Sequence, residues 1–197
     1  GIIAEYNPFH NGHLYQINKA HKEGADYIII IMSGDFMQRG TPAIVDKYTR
    51  ARMALLNGAD LVIELPVLFA TGSAQYFARG AVSLLAKLNV VDTLCFGCET
   101  DNVTQLLRAV DFLFNETEEY KKGLQVLLKQ GISFPKAREK AMQSILGDET
   151  SFLLASPNNI LAIEYLKAIQ AQNAAITPYL IQRTGDGYHE AALNSSL

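Results

Sequence analysis

The chain has 197 residues, 49% of them hydrophobic, and its 17 Lys and Arg against 20 Asp and Glu leave a formal net charge of −3. This length and apolar content suit one well-packed α/β domain, and the charge balance excludes a globally cationic nucleic-acid binder. Two cysteines exclude a disulfide framework, so we expect a protein of the reducing cytoplasm. We expect no membrane span, because no apolar run reaches about 18 residues, and no signal peptide, because there is no charged segment with a cleavage site.

Five apolar runs of strand length recur along the chain with helical segments between them. They are continuous rather than alternating, which is typical of strands buried on both faces of a parallel sheet. The runs are GIIAEY (1–6), YIIIIM (27–32), LVIELP (61–66), TLCFGC (93–98) and PYLIQR (178–183). This order predicts an α/β fold with a doubly wound, Rossmann-like parallel sheet of five strands. Ligands of such sheets bind at the carboxyl ends of the strands, where the two halves meet.

The connections between the runs have helical periodicity. In the first helix, Leu14, Ile17 and His21 share one face. Asp46 is placed to cap a second helix, which we expect to present Arg50 to solvent, together with Lys47 and Arg52.

Residues 73–88 form a third helix that tolerates Gly80 in its interior. From about 101 to 150 the pattern stays helical, with turn signals at 115–119 and 130–135, and a last helix spans 156–173. We therefore expect one domain over residues 1–197, with a helical insertion at about 101–150.

Two histidines flank an Asn–Gly pair where the first strand turns into the first helix. A helix N-terminus offers unpaired N–H groups and a positive dipole end to an anion, and Gly12 lets a ligand approach the backbone closely. His10 and His13 can donate hydrogen bonds to the same phosphate, and a protonated ring adds charge. Two surface histidines or a half-built metal site are the alternatives. His21 and His189 complete no zinc set, so we predict no protein metal site.

The segment PFHNGH resembles the HxGH signature of the HIGH-type nucleotidylyltransferase superfamily. The longer string GIIAEYNPFHNGHLYQI is similar to the bacterial tRNA(Met) cytidine acetate ligase family. Further matching segments are MSGDFMQRGTPAIVDKYTRARMAL, GADLVIELP, FGCE, SPNNILAIEYLKAI and IQRTGDGYH, so the resemblance covers nearly the whole chain. Asp35 departs from the family, which has Asn in this loop. The family continues into a second phosphate motif and a C-terminal domain, which we expect to be absent from this chain.

The resemblance implies an ATP-dependent ligase. Such an enzyme forms acetyl-adenylate from ATP and acetate, with Mg²⁺ arriving on the ATP. It then acetylates N4 of the wobble cytidine of elongator tRNA(Met), giving N4-acetylcytidine, AMP and diphosphate. His10 and His13 would be the catalytic residues. The implied ATP-binding residues are Ile3, Ala4, Glu5, Tyr6, Asn7, Pro8, Phe9, His10, Asn11, Gly12, His13, Leu14, Tyr15, Gln16, Gly97, Asn158, Asn159 and Arg183.

Several of these residues have a plainer interpretation from the sequence alone. Gly97 is as readily a turn glycine as a surface for adenine or ribose, and Arg183 is either a surface arginine or a clamp on phosphates. Asn158 and Asn159 are typical helix caps, and the resemblance implies that one of them, with Asn158 favoured, contacts ATP.

Two further features carry weaker predictions. We expect the CxxC cysteines, Cys95 and Cys98, to be buried apolar residues without a redox role. The loop 33–43 contains Gln38 and Arg39, which either meet acetate, phosphate or tRNA or are simply solvated.

Basic residues gather in the predicted insertion, with Glu139 as the only acid from 121 to 140. A solvated helical face is the commoner reason for such a stretch, and contact with the RNA backbone is the functional one. The candidates for RNA contact are Lys121, Lys122, Lys129, Lys136, Arg138 and Lys140.

Two other functions are compatible with the HxGH site. One is adenylyl transfer to a small phosphorylated metabolite, which needs a pocket for a larger second substrate. The other is a non-catalytic nucleotide- or RNA-binding module.

Overall fold

A computed structural model describes residues 1–100, 102–147 and 152–183 of the chain. The sheet has five strands, all parallel, as the apolar runs predict. The strands are β1 (Ile2–Ala4), β2 (Ile29–Ser33), β3 (Leu61–Leu65), β4 (Thr93–Cys98) and β5 (Thr177–Gln182). Their spatial order is β3-β2-β1-β4-β5, so β1 lies in the middle of the sheet. The predicted α/β fold class is confirmed.

Helices connect the strands and flank the sheet. They are α1 (Asn11–Lys22), α2 (Lys47–Leu56), α3 (Val67–Ala70), α4 (Ala74–Leu88), α5 (Val103–Phe114), α6 (Glu118–Lys129), α7 (Phe134–Leu146) and α8 (Pro157–Ala171). A 3₁₀ turn, Phe152–Leu154, precedes α8. Asp46 caps α2 as predicted, because its side chain accepts a hydrogen bond from Thr49 N at 3.0 Å. The short helix α3 was not predicted.

Side chains of the central strands enter two separate apolar cores. Ile2 and Ile30 are neighbours on one face of the sheet, where α1 and α2 contribute Ile17 and Ala54. The next residues along the strands face the other core, which α4, α5 and α8 complete. Period-two alternation sends successive side chains to opposite faces, so strands covered on both sides are apolar along most of their length. This explains the continuous hydrophobic runs.

Gly80 has a packing role in the second core. A Cβ at this position would overlap the ring of Phe69, so the glycine lets α3 lie directly against α4. The cost of glycine inside a helix is about 1 kcal/mol relative to alanine, and close packing of the two helices offsets it here.

The predicted insertion forms the helices α5, α6 and α7 between β4 and α8. Buried side chains of these helices belong to the same core as α4 and α8, among them Leu106, Val110, Tyr120 and Met142. An ion pair joins α7 to α8, since Arg138 Nη2 lies 2.8 Å from Glu164 Oε1. Among the described residues, no helix is long and apolar enough to cross a membrane.

His21 ties the end of α1 to the turn before β3. Its Nε2 lies 3.0 Å from Gly58 O and its Nδ1 lies 3.0 Å from Ala25 O. Carbonyl oxygens only accept, so both hydrogen bonds form together only when both ring nitrogens carry protons. The bond to Gly58 O, followed by that to Ala25 O, accordingly raises the pKa of His21 above its ordinary value.

We predict that His21 stabilises the fold more at acid than at alkaline pH. Because its pKa is higher in the folded state, its contribution is complete below the unfolded pKa of about 6.5 and is lost as pH rises through the folded value. The melting temperatures of the wild type and of His21→Gln should therefore differ most near pH 5.5 and converge by pH 8.5. A difference independent of pH would contradict this account. The other histidines are common to both proteins and cancel in the comparison.

Candidate functional site

The carboxyl ends of β1 and β4 open into a cavity of about 500 Å³, a size typical of small-molecule sites. It lies between β1 and β4, where the chain continues from β1 to β2 in one half of the sheet and from β4 to β5 in the other. The lining residues are Ile3, Ala4, Glu5, Tyr6, Asn7, Pro8, His10, His13, Gln16, Met37, Gln38, Arg39, Thr41, Phe77, Phe96, Gly97, Pro157, Asn158, Leu161, Tyr165 and Arg183.

The two histidines of the HxGH motif are oriented by backbone hydrogen bonds at the start of α1. His10 is the N-cap, and its Nδ1 accepts from Gly12 N at 3.1 Å. His13 completes a reciprocal capping pair, because its Nδ1 accepts from His10 N at 3.2 Å. A neutral imidazole with its Nδ1 accepting carries its proton on Nε2. Both rings are therefore held as Nε2–H donors at the edge of the cavity.

Both histidines favour the neutral form. Their rings stack with centroids 3.7 Å apart. Burial, followed by the nearby charge of Arg183, lowers the pKa of His10 below its ordinary value. Burial, then His10 and Arg183, lowers the pKa of His13 to about 3. The site thus offers an anion two neutral donors, and the additional positive charge comes from Arg183.

Gly12 has a local role that the sequence did not indicate. A Cβ on Gly12 would lie 3.0 Å from His10 Cε1, so the absent side chain leaves room for the His10 ring in its capping position. Gly12 does not line the cavity.

Twelve of the residues named for ATP binding line the cavity: Ile3, Ala4, Glu5, Tyr6, Asn7, Pro8, His10, His13, Gln16, Gly97, Asn158 and Arg183. The other six do not: Phe9, Asn11, Gly12, Leu14, Tyr15 and Asn159. The Phe9 ring instead packs edge-on against Tyr6, with centroids 5.0 Å apart. Apolar lining residues such as Phe77, Leu161 and Tyr165 were missed, because their sequence pattern is that of ordinary core positions.

Gly97 and Arg183 are adjacent on neighbouring strands. Arg183 N donates to Cys98 O at 2.9 Å, which continues the pairing of β4 with β5. A Cβ on Gly97 would lie 3.3 Å from Arg183 Cγ, so the glycine leaves space for the stem of this arginine. His189, weighed above as a zinc ligand, lies outside the described residues.

The two adjacent asparagines differ in their surroundings. Asn158 lines the cavity, whereas Asn159 is fully buried behind it. The Asn159 Oδ1 accepts from Glu99 N at 2.9 Å and from Thr100 N at 3.2 Å. Asn159 therefore holds the turn after β4, and Asn158 is the one available to a ligand.

The expectation that Arg50 faces solvent is wrong. Its side chain is fully buried, and its guanidinium donates to the carbonyl oxygens of Glu5 at 2.7 Å, Ser33 at 3.0 Å and Val45 at 2.8 Å, and also to that of Gly34. Burying a guanidinium is costly unless its donors are paired, and carbonyl acceptors pair them here. Arg50 thus fixes the chain leaving β1 against the chain leaving β2.

The loop after β2 forms another wall of the cavity. Gln38 and Arg39 both line it, and Gln38 N donates to Glu5 Oε1 at 2.6 Å. Asp35 does not line this cavity, and its carboxylate lies 3.7 Å from Lys47 Nζ. Lys47 also pairs with Glu64 at 2.9 Å, so the departure from the family at Asp35 falls in a surface charge network.

The cysteines behave as buried apolar residues, as predicted. Cys95 and Cys98 are both buried, and burial raises the pKa of the Cys95 thiol to about 11. Cys98 Sγ donates to Thr100 O at 2.9 Å. Within the described ranges, no three His, Cys, Asp or Glu side chains group into a metal site.

We predict that the His13 ring stays neutral, with its proton on Nε2, at every pH from 8 down to 5. Burial and stacking disfavour the imidazolium. Nitrogen-15 NMR of the histidine rings reads both tautomer and charge. His21 provides an internal contrast, because its raised pKa should make it titrate above about 6.5. Titration of His13 near 6.5, or a proton on its Nδ1, would contradict the geometry.

Curated relatives match nearly the whole chain. The chain is 49% identical over 199 residues to the tRNA(Met) cytidine acetate ligase of Syntrophomonas wolfei, covering 98% of this chain and 48% of the relative. It is 46% identical over 203 residues to the ligase of the same name from Clostridium tetani, covering 100% of this chain and 50% of the relative. The chain spans about half the length of the curated relatives that it matches.

Two solved structures share the fold. The crystal structure of Thermotoga maritima TmcAL bound with alpha-thio ATP has a TM-score of 0.88 at 43% identity, covering 94% of this chain and 46% of that one. The apo structure of the same protein has a TM-score of 0.91 at 41% identity, with 98% and 47% covered. The model of the HIGH Nucleotidyl Transferase family matches residues 1–197. The chain belongs to the HIGH nucleotidyl transferase family.

Proposed function

We propose that this chain is the ATP-binding part of a tRNA(Met) cytidine acetate ligase. The observation that carries the proposal is the pair of Nε2–H donors that His10 and His13 hold at the edge of the cavity. Relatives at 46% and 49% identity bear that name, and a neighbour at 43% identity binds an ATP analogue. We assign the catalytic role to His10 and His13.

In the first step, a carboxylate oxygen of acetate attacks the α-phosphorus of ATP. A new O–P bond forms, the bond to the bridging oxygen breaks, and diphosphate leaves with the electron pair. His10, His13 and the N-terminus of α1 donate hydrogen bonds to phosphate oxygens, and Arg183 adds a positive charge. Positioning and electrostatic stabilisation supply most of the catalysis in such a transfer. Mg²⁺, where it takes part, is carried by the phosphates and water.

In the second step, N4 of the wobble cytidine attacks the acetyl carbonyl. The C–N bond forms, the amine loses a proton, and AMP departs, leaving N4-acetylcytidine. The mixed anhydride must be shielded from water meanwhile, and apolar walls such as Phe77 and Phe96 contribute to this. The cytidine must be splayed from the anticodon loop to enter.

For the tRNA we propose contact with the basic residues of α6 and α7. Lys122, Lys129 and Lys140 are exposed and make no ion pair within the described part of the chain. Lys121 and Lys136 are exposed but pair with Glu118 and Glu139 at 2.9 and 2.8 Å.

Arg138 is the weakest candidate for this contact, because its side chain is only 14% exposed and pairs with buried Glu164. We place the activity in the cytoplasm, in accord with a sequence that has only two cysteines.

The test uses the full-length gene product with labelled acetate, ATP and bacterial tRNA. We predict acid-stable label in the RNA and release of diphosphate. His13→Ala should lower turnover by at least about 100-fold, because removal of one preorganised donor typically costs that much. His21→Gln, a substitution on the same helix outside the cavity, should leave turnover within about 2-fold.

Other results identify a different function. Diphosphate release that depends on a small phosphorylated substrate, without label in RNA, would indicate adenylyl transfer to a metabolite. ATP binding without any turnover would indicate a non-catalytic module. Full activity of His13→Ala would contradict the role assigned to this ring.

A further inference from the structure

The turn after β4 contacts the beginning of α8 through the side chain of Glu99. One carboxylate oxygen, Oε1, accepts from Asn158 Nδ2 at 2.7 Å. The other, Oε2, accepts from Asn159 N at 2.9 Å. Both oxygens of Glu99 are therefore engaged by neighbouring residues of α8.

The backbone of Glu99 is in turn held in place by hydrogen bonds to the side chain of Asn159. The buried Asn159 Oδ1 accepts from the backbone N–H groups of Glu99 and Thr100 at 2.9 and 3.2 Å. The turn and the helix start thus fix each other at four points, which leaves the Glu99 carboxylate little freedom to rotate away from Asn158.

This contact determines which way the Asn158 amide is turned. A carboxylate oxygen accepts hydrogen bonds, so the amide atom facing Glu99 is the NH₂ group. The Asn158 Oδ1 must then point away from Glu99, and Asn158 lines the cavity. No donor among the described residues bonds to this oxygen.

We infer that Glu99 is a positioning residue that makes Asn158 present a hydrogen-bond acceptor to the cavity, where it recognises a donor on the nucleoside half of ATP. This inference rests on the proposed ATP site. Phosphate oxygens are acceptors and cannot pair with Asn158 Oδ1. The donors that ATP offers are the 2′- and 3′-hydroxyls of the ribose and the amino group of adenine.

Exchanging the carboxylate and the amide between positions 99 and 158 tests the orientation of the Asn158 amide. In Glu99→Gln, one amide atom can still accept from Asn159 N, but the new NH₂ group meets that of Asn158. In Asn158→Asp, two carboxylates face each other. In the double variant, the glutamine NH₂ donates to the new carboxylate, whose second oxygen still accepts in the cavity. The net charge of the pair is unchanged.

We expect each single variant to bind a non-hydrolysable ATP analogue about 5-fold more weakly than the wild type, and the double variant to return to within about 2-fold. Calorimetric titration measures the affinities, and melting temperatures identify any variant that is unfolded. If the contact were merely structural, the single variants would lower the melting temperature, but any variant that stays folded would bind the analogue as tightly as the wild type, which would overturn the inference. Folded double variants with affinity as low as the single variants would overturn the inference.

Analogues that each lack one donor provide the second measurement. They are 2′-deoxy-ATP, 3′-deoxy-ATP and inosine triphosphate. One of them should bind the wild type about 3- to 10-fold more weakly than ATP, and Asn158→Ala should abolish that difference. Equal binding of all four nucleotides by the wild type, or a difference that persists in Asn158→Ala, would overturn this inference but not the proposed function. A wild type that binds no ATP would overturn the proposed function and this inference with it.

Discussion

The buried guanidinium of Arg50 holds together the two chain segments on which the candidate site depends. It donates to the carbonyls that follow β1 and end β2, at Glu5, Ser33 and Gly34. These segments border the carboxyl end of the central strand, and the ligand cleft of a parallel sheet lies at the carboxyl ends of its strands. Because Glu5 is held in place, the residues that follow it enter the turn that places His10 and His13 at the start of α1. The buried guanidinium, paired with backbone carbonyl oxygens, thus holds one wall of the cavity in place.

Another wall of the cavity, between β4 and α8, is held by hydrogen bonds that involve no buried cation. There, Glu99 and Asn159 join the turn after β4 to the start of α8 through reciprocal hydrogen bonds. Between these walls, His10 and His13 are oriented by each other's backbone and side chain rather than by a ligand. Donors that are already oriented need no reorganisation when charge develops on a phosphate, which is the electrostatic condition for efficient transfer.

Local sequence patterns were sufficient for the sheet and for the start of α1. Continuous apolar runs reflect burial on both faces, and the HxGH spacing places both histidines in one helical turn. The burial of Arg50 was not predictable, because its spacing after Asp46 is that of an exposed helical residue. Its hydrogen-bond partners are carbonyl oxygens that are distant in sequence. Likewise, nothing local distinguishes Asn158 from Asn159, because the difference arises from Glu99, about 60 residues away. The neutral state of His13 depends on burial that only the folded chain supplies.

The proposed site is defined by where a nucleoside triphosphate binds relative to the two imidazoles. A crystal structure of the protein with a non-hydrolysable ATP analogue measures this directly. We predict phosphate oxygens within about 3 Å of Nε2 of both His10 and His13, with those rings in their present positions. A nucleotide bound away from the β1–α1 junction, or phosphates that contact neither Nε2 atom, would contradict this prediction.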